Sequence, residues 1–203
     1  MQKSSFIEQL GYVNHAAWTI YNANPLHTKK INMSPSDIVL LFESLQHNHV
    51  KYILIGGFAM AFHGHVRATK DIDLWIKNEP ANMDRLKSAL VEIGIKEVQW
   101  MRNTTQLVGG ITMFTLLNSD LTIDLMHNLK LFKESDFDNC LKKAKVGTYQ
   151  GFEVPVLEAE DLLNEKIAAS RVKDISDILF LAKKTNYKGI AIDPDKFRDT
   201  DIP

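Results

Sequence analysis

Cysteine is nearly absent from this chain of 203 residues, where Cys140 stands alone. A single thiol excludes an intramolecular disulfide and any cysteine-cluster zinc site, and it suits a reducing cytoplasm, the expected location. Long apolar runs are missing as well. None approaches the roughly 18 residues of a membrane-spanning helix. The opening Met1-Gln2-Lys3-Ser4-Ser5-Phe6-Ile7-Glu8 lacks the apolar centre of a secretory signal, so neither a membrane role nor export by that route is expected. Charge of one sign is also lacking. The formal net charge is -1, so any polyanion must be met by a local patch rather than by the field of the whole molecule. No G-x-x-x-x-G-K-[ST] occurs, which excludes a P-loop, and Gly109-Gly110 lacks the further glycine of a dinucleotide fingerprint.

The remaining composition is that of a globular protein. Apolar residues make up 45% and charged residues 24%, which argues against intrinsic disorder. The length suits one large domain or a compact domain with a small helical appendage. Three parts are expected: an N-terminal arm over 1–33, helical or irregular, a core over 34–157, and a C-terminal helical segment over 158–203 packed on it.

Ser34-Pro35-Ser36-Asp37 joins an N-cap serine to proline at the first helical position and an acid three residues after the cap, predicting a helix over about 35–48. Lys51 to Ile55 reads as a buried central strand bounded by Gly56-Gly57, and Phe58 to Phe62 as a short helix. Ile72 to Ile76 reads as a second strand. Leu86, Leu90 and Ile93 mark a helix stopped by Gly94. A hairpin is predicted from Ile111–Leu117 and Leu121–Met126 around Asn118-Ser119-Asp120. Lys145 to Val156 predicts another, with Gly151 at its tip and Pro155 suggesting an edge strand. Leu162, Leu163 and Ile167 then mark one helix, and Ile175, Ile178, Leu179 and Ala182 a second. The expected fold class is α+β, a small mixed sheet with flanking helices and a C-terminal helical pair.

The chemistry concentrates in three acids. Asp71 and Asp73 lie two apart in a predicted strand and so face one side, about 6–7 Å apart at Cα. Asp124 sits between Ile123 and Leu125, where an aspartate needs compensation. A divalent cation supplies it, and carboxylates suit Mg²⁺, with Mn²⁺ as a possible substitute. Thirteen residues upstream, Gly56-Gly57 lets phosphate approach the backbone at the start of a helix. No acid occurs between Ser44 and Lys70, while Lys51, Arg67, Lys70 and four histidines do, so Arg67 or Lys70 is expected to hold a triphosphate. Each element alone has a plainer explanation: a turn at the glycines, a solvated face at Asp71 and Asp73, a paired acid at Asp124. Their order and local setting together favour a site. Lys166, beside the apolar stripe of its helix, either faces the nucleotide or snorkels to the surface. Asp174 either orients a base or acceptor or caps the last helix. Cys140 and the histidines form no trusted ligand spacing.

These residues resemble the DNA polymerase beta-like nucleotidyltransferase superfamily, whose signature is an apolar residue and Gly-Gly or Gly-Ser, a spacer, Asp-x-Asp or Asp-x-Glu, and a third acid in a later strand. Here it reads Ile55-Gly56-Gly57, Asp71-Ile72-Asp73 and Ile123-Asp124-Leu125. The approach Arg67-Ala68-Thr69-Lys70 and the run from Glu165 to Asp174 resemble the small branch holding abortive-infection toxins and antibiotic-modifying enzymes. The resemblance covers about residues 50–180. It implies that Asp71 and Asp73 bind both catalytic metals, that Asp124 binds one and helps activate the acceptor, and that an NMP passes from NTP to a hydroxyl as pyrophosphate leaves. The implied partners are an NTP, an RNA or small-molecule acceptor, and a cognate antitoxin. The alternative is a nucleotide- or partner-binding component of a toxin-antitoxin system without essential turnover.

Overall fold

The computed structural model describes residues 6–100, 112–116, 118–149 and 152–189. Six strands form one mixed sheet in the order β3-β4-β2-β1-β6-β5. The strands are β1 (Tyr52–Leu54), β2 (Asp71–Ile76), β3 (Thr112–Thr115), β4 (Thr122–Met126), β5 (Lys145–Tyr149) and β6 (Phe152–Val156). Seven helices among the described residues surround it: α1 (Phe6–Ala23), α2 (Pro35–His47), α3 (Gly56–Phe62), α4 (Pro80–Glu92), α5 (Phe137–Lys143), α6 (Ala159–Ala169) and α7 (Ile175–Thr185). The fold is α+β, as expected. None of the helices is long and apolar enough to cross a membrane.

The central strands are largely apolar and buried. Ile53, Leu54, Ile72, Leu74, Ile123 and Leu125 are fully buried and form the middle of the core with Phe42, Leu45 and Leu163. Such burial stabilises each large aliphatic side chain by roughly 1.5–3 kcal/mol. β1 runs antiparallel to β2, while β2 and β4 run parallel. The β3–β4 hairpin forms around Asn118-Ser119-Asp120; Ile111 and Leu117, included in the expected strand, lie outside the described residues.

Three local readings are corrected. Pro155 does not mark the sheet edge: β6 lies between β1 and β5, and β5 is the edge strand. The proline is tolerated because β6 pairs with β1 at a single register position, Leu54 with Val156, leaving little ladder to interrupt. The expected tip, Gly151, lies outside the described residues. Leu179 is half exposed although Ile178 and Leu181 beside it are fully buried, so the stripe of α7 turns away from it. Ser34 occupies the N-cap of α2, but its hydroxyl bonds to Ser36 Oγ rather than to a helix N-H.

Asp37 turns out to hold the β3–β4 turn. Its buried carboxylate accepts from Asn118 N (3.2 Å), Asn118 Nδ2 (3.1 Å) and Ser119 Oγ (2.9 Å). Asn32 reaches the same turn, exchanging hydrogen bonds with Asp120 and donating Nδ2 to Asn118 O. The N-terminal arm is thus a helix and a connection fastened to the hairpin that carries Asp124. Replacing Asp37 with alanine leaves the buried Ser119 hydroxyl unmatched and should cost about 1–3 kcal/mol. Urea denaturation is expected to show a lower midpoint at an unchanged slope; an unchanged midpoint would contradict this role.

Candidate functional site

The site begins where β1 ends. Ile55 N donates to Asp73 O (3.0 Å), extending the β1–β2 ladder by one residue and setting Gly56 directly against Asp73. Gly56 has φ +62°, and a Cβ there would overlap Asp73 Oδ2. Glycine is therefore demanded twice, by backbone angle and by contact. At Gly57 a Cβ would lie 2.7 Å from Thr69 Oγ1, so the second glycine admits the segment that leads into β2. The pair forms a side-chain-free floor beside the first acids.

Parallel pairing then fixes the acids relative to one another. The β2–β4 register sets Asp71 opposite Thr122 and Asp73 opposite Asp124. Thr122 N donates to Lys70 O (2.8 Å) at the start of the ladder, and Thr122 Oγ1 donates to Asp71 Oδ1 (2.7 Å). Asp124 Oδ1 is buried and accepts no hydrogen bond. Burial, the neighbouring Asp124 and then Asp71 raise Asp73 to about 6, against the pull of Lys166 and Arg171. Asp124 is raised too, by burial and by Asp71, with Lys70 opposing. Two like charges facing each other across strands destabilise the metal-free fold.

Behind the acids lies a buried ionic network that the sequence reading missed as a unit. Lys166 Nζ, on α6, meets Asp174 Oδ1 at 2.7 Å and Asp177 Oδ2 at 2.8 Å. Arg67 grips Asp177 through Nε (3.1 Å) and Nη2 (3.0 Å). Arg171 Nε donates to Asp174 Oδ2 (2.6 Å), and His65 Nε2 approaches Asp177 Oδ1 at 3.4 Å. Lys166 is 3% exposed, which rules out snorkelling. Asp174 occupies the N-cap position of α7 but makes no side-chain cap bond; its carboxylate holds Lys166 and Arg171 instead. Burial pushes Asp177 up, yet the Arg67 hydrogen bonds and Lys166 hold it below the usual carboxylate range. Burial likewise disfavours charge on Arg67, and Asp177 overcomes it. Asp177, three residues after Asp174 and spaced to share its helix face, was the available sequence signal.

These elements enclose a cavity of about 890 Å³. Its lining brings together every expected site residue: Gly56, Gly57, Arg67, Lys70, Asp71, Asp73, Asp124 and Lys166. Sequence reasoning did not anticipate Trp18, Lys130 or Lys133 there, and named Thr69 and Lys173 only within longer runs. Glu165, quoted only within a longer run, secures the far wall by accepting from Lys130 N and Leu131 N, both at 2.8 Å. Lys70 makes no ion pair among the described residues, whereas the charge of Arg67 is already matched by Asp177. No three His, Cys, Asp or Glu side chains among the described residues are gathered into a ready ligand set. Asp71 turns toward Thr122 and Asp73 toward Gly56, so the acids share a wall without closing a cage. Their fit to a hard cation rests on all-oxygen chemistry and the unmatched Asp124 Oδ1. Cys140 lies elsewhere, buried, its thiol pushed up to about 11 mainly by burial.

The mixed sheet thus sets paired glycines beside in-register aspartates. Residues 34–201 match the family described as nucleotidyl transferase of unknown function (DUF2204), and the chain belongs to that family. Among solved structures it is similar to an antigenic nucleotidyltransferase-like protein from Paracoccidioides brasiliensis, at 18% identity and a TM-score of 0.44 over 73% of this chain and 75% of that one. No curated protein matches the chain.

The raised Asp73 makes a signed prediction. The folded chain protonates it at about 6, whereas an unfolded aspartate protonates near 3.9. Its contribution to stability is therefore fully present below about pH 4 and lost as pH rises through about 6. In a chelator, Asp73→Asn should stabilise the protein at pH 8 by roughly 1–3 kcal/mol, and the gain should shrink toward zero near pH 4. Thermal denaturation at both pH values checks this; an equal gain at both, or none at pH 8, would contradict it.

Proposed function

We propose that the protein is a divalent-metal-dependent nucleotidyltransferase that moves an NMP from an NTP to a hydroxyl acceptor. The observation that carries the reading is the in-register Asp73–Asp124 pair, with Asp124 Oδ1 unmatched, in one cavity with Gly56-Gly57. Membership of a nucleotidyl transferase family supports the reaction class.

In this reading Asp71, Asp73 and Asp124 hold Mg²⁺, or Mn²⁺ in its place. When bound, the cation neutralises charge developing on phosphoryl oxygens and lowers the pKa of an attacking hydroxyl. The glycine floor lets the triphosphate approach the backbone, and Lys70, with its charge unmatched by an ion pair, binds phosphate oxygens. Arg67 and Lys166 act from fixed positions, because Asp174 and Asp177 hold them and restrict them to contributing field and spare N-H groups. Asp124 takes the acceptor proton, a role suited to its raised affinity for protons. The acceptor oxygen bonds to the α-phosphorus, the α–β anhydride bond breaks, and pyrophosphate departs with the electron pair. Basic side chains at Lys130, Lys133 and Lys173 line the remaining wall and suit an anionic acceptor such as RNA, with a small hydroxylated molecule as the other acceptor class.

Incubation with each α-labelled NTP, Mg²⁺ and fractionated cell extract should label one fraction, and Asp73→Ala should abolish the label. Gly57→Val should displace Thr69 and the approach to β2 and so weaken NTP binding, and Lys70→Ala should weaken NTP binding by about 1–3 kcal/mol. Labelling that survives Asp73→Ala would overturn the catalytic reading. NTP affinity indifferent to both other changes would overturn the placement of the triphosphate.

A further inference from the structure

We propose that the N-terminal helix α1 supplies the base-binding wall of the nucleotide site, with the indole of Trp18 as the surface on which the planar heteroaromatic ring of the NTP stacks. The proposal rests on the triphosphate reading above and adds the part of the site that touches the base.

Trp18 is the one Phe, Tyr or Trp side chain among the described residues lining the cavity. It reaches the cavity because α1 is fastened to the approach to β2. Asn14, 4% exposed, donates Nδ2 to Thr69 O (2.6 Å) and accepts from Thr69 N (3.1 Å), satisfying both backbone groups of one residue. Trp18 Nε1 donates to the same carbonyl at 3.1 Å. The hydroxyl of Thr69 in turn packs against Gly57, so the indole stands one residue away from the glycine floor. Tyr21 meets Trp18 in a T-shaped contact with ring centroids 4.8 Å apart, and His27 stacks on Tyr21 at 3.7 Å. The ring is therefore fixed before any ligand arrives.

Thr69 also occupies the polar atom of the indole. What remains of the ring for the cavity is apolar, and stacking on it would hold any nucleobase by its face and read no hydrogen-bonding edge. Asn14 is a positioning residue, acting on the site through Thr69. The segment matched by the family, residues 34–201, excludes α1, so this wall is added from outside the matched part.

The test compares the affinities of the full-length chain for ATP, GTP, CTP, UTP and inorganic tripolyphosphate in Mg²⁺. Stacking of one base on an aromatic side chain is worth roughly 1–3 kcal/mol, so Trp18→Ala should weaken all four nucleotides by about 5- to 150-fold. Tripolyphosphate should bind Trp18→Ala as it binds the wild type, and Trp18→Phe should restore most of the nucleotide affinity. Trp18→Leu fills space without an aromatic face and replaces the alanine variant if that variant fails to fold. Nucleotides and tripolyphosphate weakening together would overturn the proposal, assigning Trp18 to loop architecture. Unchanged nucleotide affinity would overturn it by seating the base elsewhere. A wild type that binds neither probe would overturn the triphosphate reading itself, and this wall with it.

Discussion

Asp73 and Asp124 face each other across two parallel strands in a largely apolar sheet, and the surroundings of the site answer that repulsion. The register that opposes them also buries Ile72, Leu74, Ile123 and Leu125 on the other face, so the acids cannot be separated by slipping the strands without inverting both faces. The fold accommodates the charge by raising Asp73 toward neutrality, by turning Asp71 to the Thr122 hydroxyl, and by setting Lys166 and Arg171 within electrostatic reach. Asp124 Oδ1 receives no such answer among the described residues.

The cations that temper the acids are themselves held in place. Asp177 is fully buried yet ionised, and it joins Arg67, from the loop before β2, to Lys166 on α6. Asp174 adds Arg171. Lys166 pairs with both buried aspartates, and breaking such a buried pair by removing one partner typically costs about 3–5 kcal/mol. The C-terminal pair of helices therefore acts as a fixed electrostatic wall for the aspartates. On the opposite side, Asn14 and Trp18 hold Thr69, and Thr69 sits over Gly57. Helix α1 on one side and the pair α6–α7 on the other thus converge on the short segment from Arg67 to Asp71.

Much of this was legible locally. Gly56-Gly57 and the alternation through Asp71 and Asp73 carry their own geometry, because backbone freedom and a period of two are properties of the sequence. Asp124 was legible through its misfit between apolar neighbours. The pairing of Asp73 with Asp124 was not legible, since strand order and parallel register arise from packing between distant segments. Trp18 and Asn14 left no signal: their partner Thr69 is more than fifty residues away, and the contact is to backbone atoms that every residue carries. Asp37 was read as part of a helix start because that motif is local, whereas its carboxylate answers donors in a distant turn. Pro155 misled for the same reason, its effect depending on how little ladder its neighbour needed.

The claim on which the account turns is that the three aspartates form the seat of a divalent cation. Manganese titration followed by the loss of the free-ion paramagnetic resonance signal measures that directly, on the wild type and on Asp71→Ala, Asp73→Ala and Asp124→Asn, at a pH well above 6 where Asp73 is ionised. The account predicts saturable binding by the wild type and severe weakening in Asp71→Ala and Asp73→Ala, with Asp124→Asn also reduced. Manganese affinity equal in the wild type and both alanine variants would contradict it.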